Sequence, residues 1–204
     1  MADHIPTDWT PLKGGGANFQ THKLAIADES VATFKPAGGA IAFYLVFLLT
    51  GLGLLAAAVV PFIRDSLPEL MVTIMLSSVG LAFTLAGSLM FYFGSMPIVF
   101  DRSRGFHWKG RKDPDEVWNR SELNHFVEID DVAYLQLLGE YISGSGKSRG
   151  YHSYELNLVL KDGTRRNVTD HGKLKRIAAD AQELAAFLEI PLLSTPESDE
   201  TPEV

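Results

Sequence analysis

The sequence predicts an α+β chain in which a hairpin of two transmembrane helices is inserted in a β-barrel or sheet that a C-terminal α-helix closes. Three observations predict it. Two long runs carry no charge, strand-like segments bounded by turn residues lie on both sides of them, and an amphipathic period runs near the C-terminus.

Residues 1–17 have no periodic pattern and are expected to be a flexible N-terminus. Residues 18–36 read as a strand pair: Phe19 to Ile26 and Val31 to Lys35 flank the turn Ala27-Asp28-Glu29-Ser30. Between Lys35 and Arg64 lie 28 residues without charge, and between Glu69 and Asp101 lie 31 more. Each run exceeds the ~20 apolar residues that cross a ~30 Å hydrocarbon core. Transmembrane helices are therefore expected over 37–63 and 70–96. A soluble core helix would carry a polar face, and Ile41 to Val60 has none. The first run is also too long and too far along the chain for a signal-peptide core, so both spans are expected to persist.

Lys and Arg in the short flanks set the expected orientation. Arg102, Arg104, Lys109, Arg111, Lys112 and Arg120 follow the second run and Lys23 and Lys35 precede the first, whereas the connecting turn from Arg64 to Glu69 has only Arg64. Both termini are thus expected in the cytoplasm, in a multi-pass protein of the bacterial inner (cytoplasmic) membrane. Phe43, Tyr44 and Phe47 open the first run and Phe91, Tyr92 and Phe93 close the second, as one interfacial aromatic belt would require.

Small residues recur at helical spacing: Ser77, Gly80, Thr84, Gly87 and Ser88 in the second span, Gly51 and Ala58 in the first. Such stripes let helix backbones approach closely, either within the hairpin or against another copy or a partner helix. No Asp, Glu, Lys, Arg or His lies within either span, which argues against a pump or transporter, since ion and proton pathways are built from such groups.

Beyond the spans, Ile98 to Asp101 and Phe106 to Lys109 flank Arg102-Ser103-Arg104-Gly105, a second hairpin. Val132 to Ser143 reads as a strand. Leu156 to Leu160 and Arg165 to Thr169 flank Lys161-Asp162-Gly163-Thr164, whose Asp-Gly is a strong hairpin signal. Leu174, Ile177, Ala181, Leu184, Ala185 and Leu188 recur at three and four residues, predicting a helix that ends before Pro191. These elements make a domain over 97–192, followed by a disordered acidic tail over 193–204.

This order of elements resembles that of bacterial membrane proteins with pleckstrin-homology-like (PH-like) domains. The resemblance is carried by Met96 to Gly105, by Tyr154 to Thr169 around its turn, and by the closing helix from Ala178 to Pro191. It implies a membrane-tethered module for protein interaction or assembly. Phosphoinositide binding is not carried over, because no strand-to-strand loop concentrates basic residues.

Motifs for chemistry are weak. Gly144-Ser145-Gly146-Lys147-Ser148 imitates the end of a phosphate-binding loop, but the first glycine of that pattern is replaced by Tyr141 and a strand follows. His4, His22, His107, His125, His152 and His171 have no paired spacing, there is no cysteine, and no Gly-x-Ser-x-Gly elbow occurs. The matches to a glycosylation acceptor, Asn119-Arg120-Ser121 and Asn167-Val168-Thr169, are expected to face the cytoplasm. A formal net charge of -7 speaks against nucleic acid. The expected function is thus non-enzymatic and without a cofactor or metal. Membrane lipids and a protein partner or second copy are the expected partners, with Arg102, Arg104, Lys109, Arg111 and Lys112 touching the lipid surface and Gly51, Ser77, Gly80, Thr84 and Gly87 packing helices. An accessory subunit contacting a larger complex through its helices is the alternative.

Overall fold

The computed structural model describes residues 8–12, 14–64, 69–119, 123, 125–144, 146 and 149–194. Two compact units form: one is Pro36–Met96, and the other joins the chain before it to the chain after it. Most of the connecting turn, 65–68, and residues 195–204 of the expected tail lie outside the described residues, as do Arg120, Ser121, Ser145, Lys147 and Ser148.

The first unit is a pair of helices, α1 (Gly38–Ile63) and α2 (Leu70–Gly94). Pro61 lies in the last turn of α1, and the chain leaves that helix through the Arg64 N–H, which donates to the carbonyls of Val60 and Pro61. Both helices are long and apolar enough to cross a membrane, and only 11% of the most hydrophobic window of each is buried. Apart from Tyr44, what they bury is small: Ala40, Gly51 and Ala58 on α1, Gly80 and Gly87 on α2. Leu49, Phe62, Ile63, Leu70, Met71 and Leu85 are exposed.

The second unit contains two sheets. The first has the order β1-β2-β3-β4-β5, built from β1 (His22–Ile26), β2 (Val31–Pro36), β3 (Ile98–Asp101), β4 (Phe106–Lys109) and β5 (Val127–Glu128). β2 pairs antiparallel with β3 from Val31↔Asp101 to Phe34↔Ile98, so the helical unit is inserted between two adjacent strands, as if it were a long hairpin loop. The second sheet has the order β8-β7-β6-β9, with β6 (Val132–Ile142), β7 (Tyr151–Leu160), β8 (Arg165–His171) and β9 (Leu192–Ser194). Its β7–β8 hairpin turns at Gly163, whose φ of 84° is open to glycine at no steric cost. β9 runs parallel to β6.

Among the described residues the backbone ladders remain two sheets and do not close into a barrel; the bridge Gln20↔His171 joins them. Between them sits the core. Phe34 and Phe100 meet edge to face at 6.4 Å, and Leu135, Leu156, Leu158 and Val168 pack from the second sheet. Helix α3 (Leu174–Leu188) lays Ile177, Ala181, Leu184 and Leu188 onto this core, the stripe its three- and four-residue spacing requires. It stops at Glu189, which takes the left-handed conformation (φ 58°).

β5 and β9 were not expected from the sequence. The N-terminal segment also differs from expectation: residues 8–12 and 14–17, read as flexible, are hydrogen-bonded across the second sheet.

Candidate functional site

The helix-packing residues lie where α1 and α2 touch. A Cβ at Gly51 would strike the Thr84 backbone nitrogen, one at Gly80 would crowd the Gly51 carbonyl, and one at Gly87 would strike the Leu48 backbone. Thr84 turns its hydroxyl back to the Gly80 carbonyl at 2.8 Å, leaving no unsatisfied donor at the contact. Phe47 and Phe83 stack across the pair at 5.4 Å. Ser77 is half-buried on the same side, whereas Ser88 is exposed and lies off the stripe.

The five cations after α2 do not form one group. In the β3–β4 ladder Asp101 pairs with Phe106 and Ile98 with Lys109. Arg102 and Arg104 therefore sit on the turn at one end of the hairpin, and Lys109 at the other, roughly 10 Å away at ~3.3 Å per residue. The Lys109 end also carries Pro97, whose carbonyl accepts from the Gly110 N–H at 2.9 Å, and so it is the end at which the chain arrives from α2. Arg111 and Lys112, both exposed, follow, and at Asp113 the chain has come back within reach of Arg104.

Arg102 and Arg104 are committed to carboxylates of the chain itself. Arg104 bonds Asp101 at 2.8 Å, Asp113 at 2.7 Å and Asp115 at 3.1 Å, with its guanidinium 5.2 Å from the Trp108 ring centre. The bonds from Asp113 and Asp101 hold Arg104 firmly protonated, and Arg104 in turn holds the Asp113 carboxyl below its ordinary range. Burial pushes Asp101 up, but its bonds from Ser103 and Arg104 more than offset this, and its acidity is strengthened. Arg102 pairs with Glu189 at 2.6 Å and lies over the Phe187 ring, pinning the hairpin turn to the end of α3.

Hydrogen bonds collect the other turns at this same end. Arg102 N–H donates to the Ser30 carbonyl, Ile129 N–H to Gly105, and Lys161 N–H to Asp131, each at 2.8 Å. The turns so gathered bring Asp28, Asp130, Asp131 and Asp162 together with Asp101 and Glu189. An open hollow between Ile26, Asp28, Ser30, Arg102 and Phe187 lies here.

The opposite end is basic. Lys35, exposed, leads into α1, and Lys23 stands near the start of β1, which the hairpin brings back beside it. α3 begins there too, since Arg176 bonds Gln20 at 2.7 Å, and its start carries Lys173, Lys175 and Arg176, all exposed. No acidic residue lies in its first turn and no basic one in its last. These charges oppose the helix macrodipole, which favours anions at the start, at a cost of ~0.3–1 kcal/mol each. Lys23, Lys35 and the cations after α2 are legible as flanks of the two uncharged runs, whereas the start of α3 joins them only through the fold.

The histidines divide by burial. His107 is buried, stacked on Phe100 at 4.2 Å, with its ring nitrogen 3.0 Å from the Val99 carbonyl; burial pushes its pKa down to about 3. His171 is buried and accepts from the Lys173 N–H at 2.7 Å, and burial lowers it as well. Among the described residues no three His, Asp or Glu side chains converge as metal ligands would. After Gly144 and Gly146 the chain enters strand β7, with no helix start to meet a phosphate.

No family model matches this chain, and no curated protein and no solved structure is significantly similar to it.

Proposed function

We propose that the chain is a non-enzymatic integral protein of a bacterial inner membrane, anchored by α1 and α2, whose cytoplasmic PH-like domain makes protein contacts. The observation that carries this is the outward-facing apolar surface of α1 and α2, inserted between two adjacent strands of a domain that keeps its own core. Water would penalise that exposed surface at ~25 cal/mol per Å², and lipid would not.

The PH-like reading rests on the two sheets packed about one core under a C-terminal helix, the barrel being open in its ladders. Both termini belong on the cytoplasmic side, because the basic end of the domain is the end from which the chain enters and leaves the helices. Lys109, Arg111 and Lys112, joined by Lys23, Lys35 and the start of α3, seat that end on anionic headgroups at ~1 kcal/mol per cation near the surface. Arg102 and Arg104 hold the opposite end of the domain together.

The competing reading is an accessory subunit that meets a larger complex through its helices. Replacing α1 and α2 by an unrelated two-helix hairpin decides between them. Cross-linking in native membranes should recover the same protein partner with the replaced hairpin; loss of the partner would assign the contact to the helices instead.

A further inference from the structure

Residues 8–12 and 14–17 lie across the face of the second sheet that points away from the core, and they are held by their main chain. Gln136 Nε2 and Arg165 Nη1 donate to the Asp8 carbonyl, each at 2.8 Å, and Arg165 Nη1 also to the Thr10 carbonyl at 2.7 Å. Glu155 accepts from the Leu12 N–H at 3.1 Å and Glu140 from the Gly15 N–H at 3.2 Å. Tyr151 donates to the Gly16 carbonyl at 3.1 Å and Ser153 to the Ala17 carbonyl at 3.0 Å. One side-chain pair is added, Arg165 to Asp8 at 3.1 Å. The large side chains of this segment, Trp9 and Leu12, are left 39% exposed.

The lining is mixed: buried Tyr134, Leu138 and Val159 share this face with the polar side chains that hold the strap. β7 alternates Leu156 and Leu158 toward the core with Ser153, Glu155 and Asn157 toward the segment, and these three are buried beneath it. An apolar face would be the cheaper way to hold a fixed strap, since buried polar groups offer little net stability over well-packed apolar ones. The polar members of this face have another property: water can satisfy them when the strap departs. The strap itself contains Gly14, Gly15 and Gly16, which raises the entropy it regains on release. The site is a surface that reads an extended backbone through polar side chains that water can also satisfy.

We propose that this face is a groove for an extended segment of a partner protein, and that residues 8–17 are a built-in stand-in which the partner displaces. This specifies the protein contact of the function proposed above. The strap defines what fits: an acidic residue for Arg165, then a glycine eight positions on, because a Cβ at Gly16 would strike Ser153. A second copy is a poor source of the segment. Its strap is tied immediately downstream by the Gln20↔His171 bridge, by Gly172 N–H to the Phe19 carbonyl, by Thr21 to the Asp170 carbonyl and by Arg176 to Gln20, so reaching a neighbour would undo all four.

The absence of cysteine allows a direct test on the full chain in detergent. A Cβ at position 16 stands 3.2 Å from the Ser153 Cβ, close to the ~3.5–4.5 Å of a disulfide. Ser153 is 3% exposed beneath the strap, so capture there requires displacement. The probe is a synthetic peptide of residues 8–18 carrying Gly16→Cys, offered to the Ser153→Cys chain, with exposed His152→Cys as the collision control.

Disulfide capture at position 153 should run at least tenfold faster than at 152. Excess peptide of native sequence should compete, and peptide with Gly16→Val should not. The Gly16→Cys, Ser153→Cys double variant should close internally, which reports that the strap is seated. Equal capture at 152 and 153, or a double variant that stays open, would overturn the proposal. Mixing full-length Gly16→Cys and Ser153→Cys chains should give no more dimer than the His152→Cys control; rapid dimer would assign the groove to a second copy and overturn the partner assignment. None of these readouts involves lipid binding, so failure here leaves the membrane-seated reading to its own tests.

Discussion

The helical unit and the sheet unit bury opposite things. α1 and α2 meet through Gly51, Gly80 and Gly87 and turn Leu, Val, Ile and Phe outward; the sheets and α3 bury Phe34, Phe100, Leu156, Leu158 and Leu184 and turn their charges outward. The difference follows from the solvent each surface suits. In water, burying large apolar side chains is the main driving force, whereas in hydrocarbon it gains nothing and close backbone approach supplies the packing instead. The helical connection leaves β2 and β3 paired, so the chain can serve both media without compromising either core.

That contrast predicts the largest mutational difference in the molecule. Phe100→Ala, which empties a site of 0% exposure, should destabilise the sheet unit by about 3–5 kcal/mol in urea titrations followed by near-ultraviolet dichroism. Leu49→Ala, on an exposed helix face, should leave the detergent-solubilised protein within about 0.5 kcal/mol of wild type. A comparable loss at Leu49 would show that the outer helix face is packed against protein.

Next in size is the basic end. Because Phe34 pairs with Ile98, a short turn joining Lys35 to Pro97 should give a sheet unit without helices. Replacing Lys109, Arg111 and Lys112 with Gln in that unit should weaken binding to anionic vesicles by roughly a hundredfold, at ~1 kcal/mol per cation, and high salt should reproduce the loss. Replacing Arg102 and Arg104 should leave vesicle binding unchanged and lower stability instead. The reverse pattern would place the lipid contact at the other end.

Gly87→Val sharpens the contrast within the helices. Its side chain would meet the Leu48 backbone and should cost about 1–3 kcal/mol, while Gly53→Val, with open space around its Cβ position, should cost little. Thermal aggregation in detergent reads both.

Counted per pH unit, the smallest predicted effect is the pH dependence of stability. His107 is held neutral in the folded protein, its pKa lowered from 6.5 to about 3, so between those values the unfolded chain binds the extra proton. Stability from this residue is present above pH 6.5 and is lost as pH falls through the window, at up to about 1.4 kcal/mol per pH unit. His107→Phe should flatten the slope of urea stability against pH between 6 and 4. An unchanged slope would show that other groups govern it.

Much of this was legible in the sequence, and what was not has identifiable causes. The uncharged runs, the turn at Asp162-Gly163 and the stripe of α3 are local signals, and each matches an element of the structure. Val127–Glu128 and Leu192–Ser194 are too short to show a period, and β9 exists through its pairing with β6. The cations were grouped by their proximity in sequence, but register separates Arg102 and Arg104 from Lys109 and brings Lys175 and Arg176 toward Lys23. The strap was invisible because its bonds use main-chain atoms, which leave no side-chain pattern.

We propose that α1 and α2 cross a membrane and leave the sheet unit on its cytoplasmic side. Single cysteines in a chain that has none test this directly, with a membrane-impermeant maleimide applied to intact and then permeabilised cells. Ser66→Cys, between the helices, should label in intact cells, while Asp28→Cys and Asp162→Cys should label only after permeabilisation. Labelling of position 28 or 162 in intact cells, or protection of position 66 until permeabilisation, would contradict this topology.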